Sequence, residues 1–351
     1  MSVIQLPNAS CIKRSPYNSD GAIRGGLYEM SEKEYRALPG LNWSTLKHVL
    51  DCPAMARYLQ DNPVQQTAAM RLGSMVHMAT LEPDQFDKTY AVRPEIEKSE
   101  WVFSRVEGGW CRHRKDGFEV EGPFKTKKDA MATAAIYNFP GGDGYTKLAE
   151  ARTARGQYFS NFTFATQEEM DTAWAMADSV HRHPASKRLL DNSMTEFVAL
   201  WYHESQTLGE LFLCKAKIDA WDMTEQVICD LKTCQSSNPA VFVRNNVERY
   251  DLHAQLAWYQ MGIRLAIEQD LGTDFEHFET SFIAVEKTPP YLVSYLVPTN
   301  DMMRIGEIHC QEAFETWVQC ESEDRWPARS EEAVIIDISP WKLKEFENGL
   351  S

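Results

Sequence analysis

Two aspartates and a lysine within one short stretch are the residues of this chain best placed to do chemistry. In Leu211–Cys234 two runs rich in Phe, Leu, Ile and Val, Phe212–Ala220 and Gln226–Thr233, flank the polar segment Asp222-Met-Thr-Glu225, the pattern of a β-hairpin. A turn centred between Thr224 and Glu225 sets Asp219 directly opposite Asp230, with Cβ atoms about 5 Å apart, where like charges repel. Side chains alternate along a strand, so Lys232 shares the face of Asp230 while Leu231 turns into the opposite layer. Two carboxylates and an ammonium on one spot suit a hard divalent ion such as Mg²⁺. A metal-held water beside a lysine is, in outline, the apparatus for hydrolysing a phosphodiester. The bland alternative is a solvated edge strand with a surface ion pair. The apolar flanks Val227-Ile228-Cys229 and Leu231 argue against it, because charges in a mostly buried strand need partners.

Four further groups have the right chemistry. His77 lies on an apolar helical pattern over Thr67–Leu81, nearly in line with Met70, Gly73 and Leu81; it reads as a hydrogen-bonded core histidine or as a ligand, and Gly73 one turn earlier lets a backbone or substrate approach. Glu196, early in the apolar strand Thr195–Tyr202, is a strand-end solvent residue or a further metal carboxylate. Gln255 and Tyr259, four apart on a helix over Tyr250–Glu268, share a face and can both donate and accept hydrogen bonds. Between Trp101 and Lys128, seven basic residues, among them Arg112, Arg114, Lys115, Lys125 and Lys127, stand against four acidic ones. That stretch can grip a nucleic-acid backbone and stack on a base, or form a small subdomain with a solvated basic face.

Composition limits what these groups can serve. At 351 residues, 43% hydrophobic and 25% charged, the chain is an ordinary globular protein. No run approaches the ~18–20 apolar residues of a membrane span, and Met1–Ser15 lacks the apolar core of a signal peptide, so the expected compartment is the cytoplasm. The eight cysteines include no CxxC pair, which fits reduced thiols rather than zinc, iron–sulfur or disulfide frames. A net charge of −15 suits solubility and leaves nucleic-acid binding to a local basic face.

The elements that must position these residues follow in order. Residues 1–27 read as a loosely held arm. Asn42 or Ser44 caps a short helix with Leu46, Val49 and Leu50 on one face, and Pro53 starts the next. Residues 95–155 interrupt the pattern as a basic and aromatic insertion, ββα-like: strands Val102–Val106, Trp110–Arg114 and Phe118–Val120, a helix over Lys128–Tyr137, and a Gly-rich turn at Pro140–Gly144. Gln167–His183 is amphipathic, with Met170, Ala173, Trp174, Ala177 and Val180 as its buried stripe. Strands Glu279–Glu286 and Tyr291–Pro298 precede a helix over Asp301–Cys320 with Ile305, Ile308, Phe314 and Trp317 inward. The sum is an α/β fold: a mixed central β-sheet flanked by helices, one domain over 28–340 with the insertion inside it and a tail over 341–351.

Four motifs in order, Gly73-Ser-Met-Val-His77, Lys215-Ala-Lys-Ile-Asp219, Asp230-Leu-Lys-Thr233 and Gln255-Leu-Ala-Trp-Tyr259, resemble those of the RecB-like PD-(D/E)XK nucleases. The branch most similar is the exonuclease VIII (RecE-type) enzymes of phages and prophages, whose N-terminal helices resemble LNWSTLKHVLDCPAMARY and LGSMVHMATLEPDQFDKTYAV. CKAKIDAW, FIAVEKTPPYLVSYLV and Trp326-Pro also fit that branch. The likeness covers about residues 28–95 and 157–340 and excludes the insertion. Ile218 replaces a proline common before the first aspartate. The resemblance implies Mg²⁺, with Mn²⁺ as a substitute, on Asp219, Asp230 and the Leu231 carbonyl, with Lys232 orienting or activating the attacking water. It implies His77 at a second metal or the scissile phosphate, Gln255 and Tyr259 positioning the strand to be cut, and Glu196 as an additional metal carboxylate. It further implies digestion of linear double-stranded DNA from 5′ to 3′, leaving 3′ single-stranded tails, by a ring-shaped homo-oligomer such as a tetramer. Such an enzyme works with a single-strand annealing protein in a bacterial cell. A RecB-like nuclease on single-stranded or branched DNA, and a non-cutting protein that occupies DNA ends, are the competing expectations.

Overall fold

The hairpin around Asp219 and Asp230 forms the middle of a seven-stranded mixed sheet. In the computed structural model, which describes residues 12–62, 64–92, 101–114, 120–129, 163–273 and 278–349, the strands are β1 (Ile12–Lys13), β2 (Gly26–Tyr28), β3 (Ser193–Glu204), β4 (Leu211–Asp222), β5 (Val227–Cys234), β6 (Glu279–Glu286) and β7 (Val293–Leu296), hydrogen-bonded in that order. The pairs β1/β2 and β5/β6 are parallel and the others antiparallel. β4, β5 and β6 carry continuous runs of buried residues, the pattern of strands covered on both faces.

The chain divides into two compact units, one comprising residues up to Thr67 and from Val180 onward, the other Ala68–Ser179. The first unit holds the sheet and most of the core. Its central helix, Leu252–Leu271, buries Ala254, Leu256, Ala257, Trp258, Ile263 and Ala266. Gly262 makes the close packing possible: a Cβ there would sit 2.6 Å from the indole ring of Trp201 on β3. Trp258 packs against Trp201 with ring centres 5.0 Å apart and planes tilted by 58°, and donates its indole N–H to the Lys215 carbonyl at 3.1 Å, which fixes this helix to β4. The second unit holds the helices Ala68–Leu81 and Pro83–Thr89, a parallel pair Tyr90–Val92 with Thr163–Ala165, and most of the helix Gln167–Arg182. Phe86 joins them, 5.2 Å from Tyr90 and 4.8 Å from Trp174.

Several expectations need correction. Residues 12–28 are not all a loose arm, because they supply β1 and β2, and Lys13 pairs with Asp270. On the helix Asn300–Glu323 the buried stripe is Gly306, Cys310, Ala313, Phe314 and Trp317; Ile305 and Ile308 lie off that stripe and are exposed. Leu50 and Trp174 are likewise exposed at the margins of their stripes. The insertion contains three antiparallel strands, Trp101–Val106, Gly109–Arg114 and Val120–Phe124. The third begins where the expected Phe118–Val120 ends; most of the expected helix Lys128–Tyr137 and the Gly-rich turn lie outside the described residues. Seven cysteines, Cys52, Cys111, Cys214, Cys229, Cys234, Cys310 and Cys320, are free thiols. Among the described residues no helix is long and apolar enough to cross a membrane.

Candidate active site

The turn between β4 and β5 sets the register on which the site depends. Asp222 accepts the amides of Thr224 and Glu225 at 2.9 and 3.0 Å, an Asx-type closure, and Gln226 leaves the turn with a left-handed φ of 56°. The ladder pairs Val227 with Asp222, Ile228 with Trp221 and Cys229 with Ala220. The next rung in that register is Asp230 opposite Asp219, as the sequence predicts.

At that rung the two strands part. β5 continues in parallel with β6 from Val227/Glu279 to Cys234/Glu286, while the earlier part of β4 is joined on this edge by Leu41, whose carbonyl accepts the Lys215 amide at 2.8 Å. The Asp219 side chain spans the gap, its Oδ2 accepting the Leu231 amide at 2.8 Å. Leu231 itself points into the opposite layer and is buried. Asp230, fully buried, meets Lys232 Nζ at 2.8 Å through Oδ1 and 2.7 Å through Oδ2. Its Oδ1 also accepts Gln255 Nε2 at 3.2 Å, and the same amide nitrogen lies 2.6 Å from the Tyr259 hydroxyl. Asp219, Asp230, Lys232, Gln255 and Tyr259 are thus brought together, with the helix Leu252–Leu271 presenting the last two.

Electrostatics follow from burial. The Asp219 carboxyl is pushed above the usual carboxylate range by burial, against the opposing pull of Lys232 and of the Leu231 amide. For Lys232 burial opposes the charge, but Asp230 and Asp219 outweigh it and hold the ammonium above its ordinary pKa. Burial, and then the two aspartates, raise the Tyr259 phenol well above its usual value, so it is a neutral hydroxyl. Two buried carboxylates facing each other at one rung, with a single ammonium on Asp230, fit a hard divalent ion, whose preferred donors are oxygens.

Glu196 stands on β3 at the position opposite Asp219 in the β3/β4 register, where Thr195 pairs with Ala220 and Phe197 with Ile218. It is not a solvent residue at a strand end: its side chain is only 11% exposed, its φ is 54°, and it pairs with Lys217 at 2.5 Å. His77 lies half-buried on the helix Ala68–Leu81 of the second unit. Arg112 and Arg114 lie on the strand Gly109–Arg114, Lys115 is outside the described residues, and Lys125 and Lys127 are exposed, with Lys127 Nζ 5.4 Å from the centre of the Trp110 ring.

Sequence reasoning missed a cleft of about 300 Å³ beside Gln255 and Tyr259, lined also by Tyr35, Lys47, Lys217 and Tyr250. Lys47 is held below its ordinary pKa by burial and then by Lys232. Lys217 was legible, since the alternation Lys215-x-Lys217-x-Asp219 puts all three on one strand face. Lys47 and Tyr250 carried no signal, because only the folding of distant segments brings them to β4.

A helix-flanked mixed sheet whose central strands carry Asp219 and the Asp230-x-Lys232 pair defines a domain of the PD-(D/E)XK nuclease superfamily. Residues 42–338 match the family described as a PDDEXK-like domain of unknown function (DUF3799), and the chain belongs to that family. Among solved structures it is similar to a protein of Eubacterium rectale titled "Putative exonuclease", at 11% identity over 90% of this chain and 98% of that one, with a TM-score of 0.46. It is also similar to SSO0001, at 14% identity over 46% of this chain and 69% of that one, with a TM-score of 0.23. No curated protein matches the chain.

Proposed function

We propose that this PDDEXK-like domain is a metal-dependent deoxyribonuclease. The supporting observation is the buried Asp230 held between Lys232 and Gln255, with Asp219 facing it across the parted strands. Asp219 and Asp230 would hold Mg²⁺, or Mn²⁺ in its place, with Glu196 as a further carboxylate. The bound ion would supply a water of lowered pKa and positive charge against the crowded phosphate. Lys232, with its Nζ 2.8 Å from Asp230 Oδ1, would orient or activate the attacking oxygen and offset charge. Gln255 spans Asp230 and Tyr259, so the hydroxyl and amide are set in fixed relation to the carboxylate. His77, which the sequence resemblance associates with a second ion or with the scissile phosphate, is a separate proposal tested by His77→Ala.

The finer reading rests on the order of the four sequence motifs. On it, the substrate is the end of linear double-stranded DNA, digested 5′ to 3′ to leave 3′ tails. The chain works as a ring-shaped homo-oligomer, and a single-strand annealing protein takes the product. The location is the cytoplasm of a bacterium carrying the phage or prophage. The test is end-labelled linear duplex with purified protein, with and without Mg²⁺, beside single-stranded and branched substrates. Mg²⁺-dependent release from duplex ends is expected, and Asp230→Ala abolishes it while leaving DNA binding in place. Undiminished digestion by Asp230→Ala removes the site assignment; exclusive action on single strands or branches removes the duplex-end reading; binding without cutting by the intact protein removes the activity.

A further inference from the structure

A second cluster of metal-ligating side chains lies where the helix Leu252–Leu271 begins, apart from the carboxylates above. Asp251, in the left-handed conformation with φ 51°, ends an irregular path through the π-helical turn Val243–Val247. It places its carboxylate beside His309 of the helix Asn300–Glu323. His309 Nδ1 is 3.3 Å from Asp251 Oδ1, and the His253 and His309 rings lie 5.2 Å apart between centres. One ligand atom from each of Asp251, His253 and His309 lies within 4.8 Å of those of the others.

Two observations make this more than a chance gathering. His253 is only 7% exposed and its buried Nδ1 lacks a hydrogen-bond partner, while the buried Nδ1 of His309 faces the Asp251 carboxylate at 3.3 Å. A buried ring nitrogen normally has a partner, and one left without it calls for an explanation. The two helices also come together closely at this point. Gly306 allows the approach, since a Cβ there would lie 2.6 Å from the His253 carbonyl oxygen, and the Cys310 thiol bonds the Ala254 carbonyl at 3.0 Å.

We propose that Asp251, His253 and His309 form a binding site for a borderline divalent transition ion of the zinc class, which clamps the first turn of the Leu252–Leu271 helix to the Asn300–Glu323 helix. Two imidazoles and a carboxylate select such an ion over Mg²⁺, whose preference is for oxygen alone. Three protein ligands leave one tetrahedral position for water. With metal–ligand bonds of about 2 Å the donors of a tetrahedral ion stand about 3.3 Å apart, the spacing His309 and Asp251 already have. The site stands on its own residues and does not depend on the nuclease reading.

The test uses the full chain, loaded with Zn²⁺ and dialysed against excess Mg²⁺, then titrated with a chromophoric chelator; Co²⁺ loading reports coordination through its visible absorption. One tightly held Zn²⁺ per chain is expected in the wild type and in Asp230→Asn, with binding more than ~100-fold weaker in His309→Gln and in Asp251→Asn. Circular dichroism checks that each variant is folded, and His309, being partly exposed, is the safer of the two. Absence of tightly held Zn²⁺ in the wild type overturns the proposal. So does Zn²⁺ that survives in folded His309→Gln and Asp251→Asn; its loss in Asp230→Asn would then assign the ion to the carboxylates.

Discussion

Leu231 donates its amide to Asp219 Oδ2 at 2.8 Å, just past the rung at which β5 has left β4. The carboxylate therefore takes the place of a missing ladder acceptor and is held in orientation by backbone rather than by another flexible side chain. On the proposed function Asp219 would have two jobs, holding the amide and holding the ion, that substitution can separate. Asp219→Asn keeps an oxygen for the amide and should remain near wild-type stability while losing Mg²⁺-dependent cleavage. Asp219→Ala leaves a buried amide without a partner and should lose cleavage together with about 1–3 kcal/mol. Urea midpoints of the two variants, read beside their cleavage rates, separate these outcomes. Equal stability of the two would mean that the amide finds another acceptor.

The pKa directions give a pH signature. Burial first, opposed by Lys232 and the Leu231 amide, raises the Asp219 pKa. An acid whose folded pKa lies above its unfolded value of about 3.9 contributes most at low pH, and that contribution is lost as pH rises toward the folded value. On the proposed function Mg²⁺ would have to displace the same proton. The rise in Tm on adding Mg²⁺ should thus be small near pH 4 and grow toward neutrality. Lys232 acts at the other end: its raised native pKa gives stability present below the unfolded value of about 10.4 and lost as pH climbs through the native value. Lys232→Met should flatten that alkaline limb. Thermal melts across pH, with and without Mg²⁺, check both limbs; a pH-independent Mg²⁺ shift would contradict the first.

Gln255 joins Asp230 to Tyr259 through one amide nitrogen. Gln255→Leu removes both contacts and should cut kcat by about 10²-fold, the scale for losing one preorganised donor. Tyr259→Phe keeps the ring and loses only the hydroxyl, so its effect should be smaller. Single-turnover cleavage with separate DNA-binding titrations makes the comparison. A loss confined to KM would place the pair in substrate binding alone.

How much of this was legible in the sequence depended on where the determining contacts lie. The Asp219/Asp230 register could be read because Asp222 closes a local turn, and the extent of β6, Glu279–Glu286, because an apolar run between polar ends is a local signal. β1 and β2 could not be read, since strands of two and three residues have no periodicity to detect. The parting of β4 from β5 was also hidden: Leu41, 174 positions before Lys215 in the chain, occupies the vacated edge. The same holds for Asp251, His253 and His309, which meet only because a glycine lets two helices touch. Ile305 and Ile308 misled because an apolar residue on a helix need not lie on the stripe that packs.

The basic strands of the second unit carry the last prediction. Arg112, Arg114 and Lys115 fall on or just after the strand Gly109–Arg114, and Lys125 and Lys127 are exposed on the following segment. In a chain of net charge −15, a face that binds DNA must work through such local charge. Each phosphate contact contributes about 0.9 to the slope of log K against log salt concentration. Replacing Arg112, Arg114 and Lys115 by glutamine should lower that slope by as much as about 2.7 if all three touch phosphate, with cleavage of bound DNA unchanged at low salt. Lys127→Met tests a different contribution, because Lys127 lies over the Trp110 ring and its removal frees that face for a base to stack. It should weaken the salt dependence by about one contact at most while sparing or strengthening binding to single strands. Fluorescence anisotropy across a salt series measures both variants, and an unchanged slope in the triple variant would assign the basic face to solvent rather than to DNA.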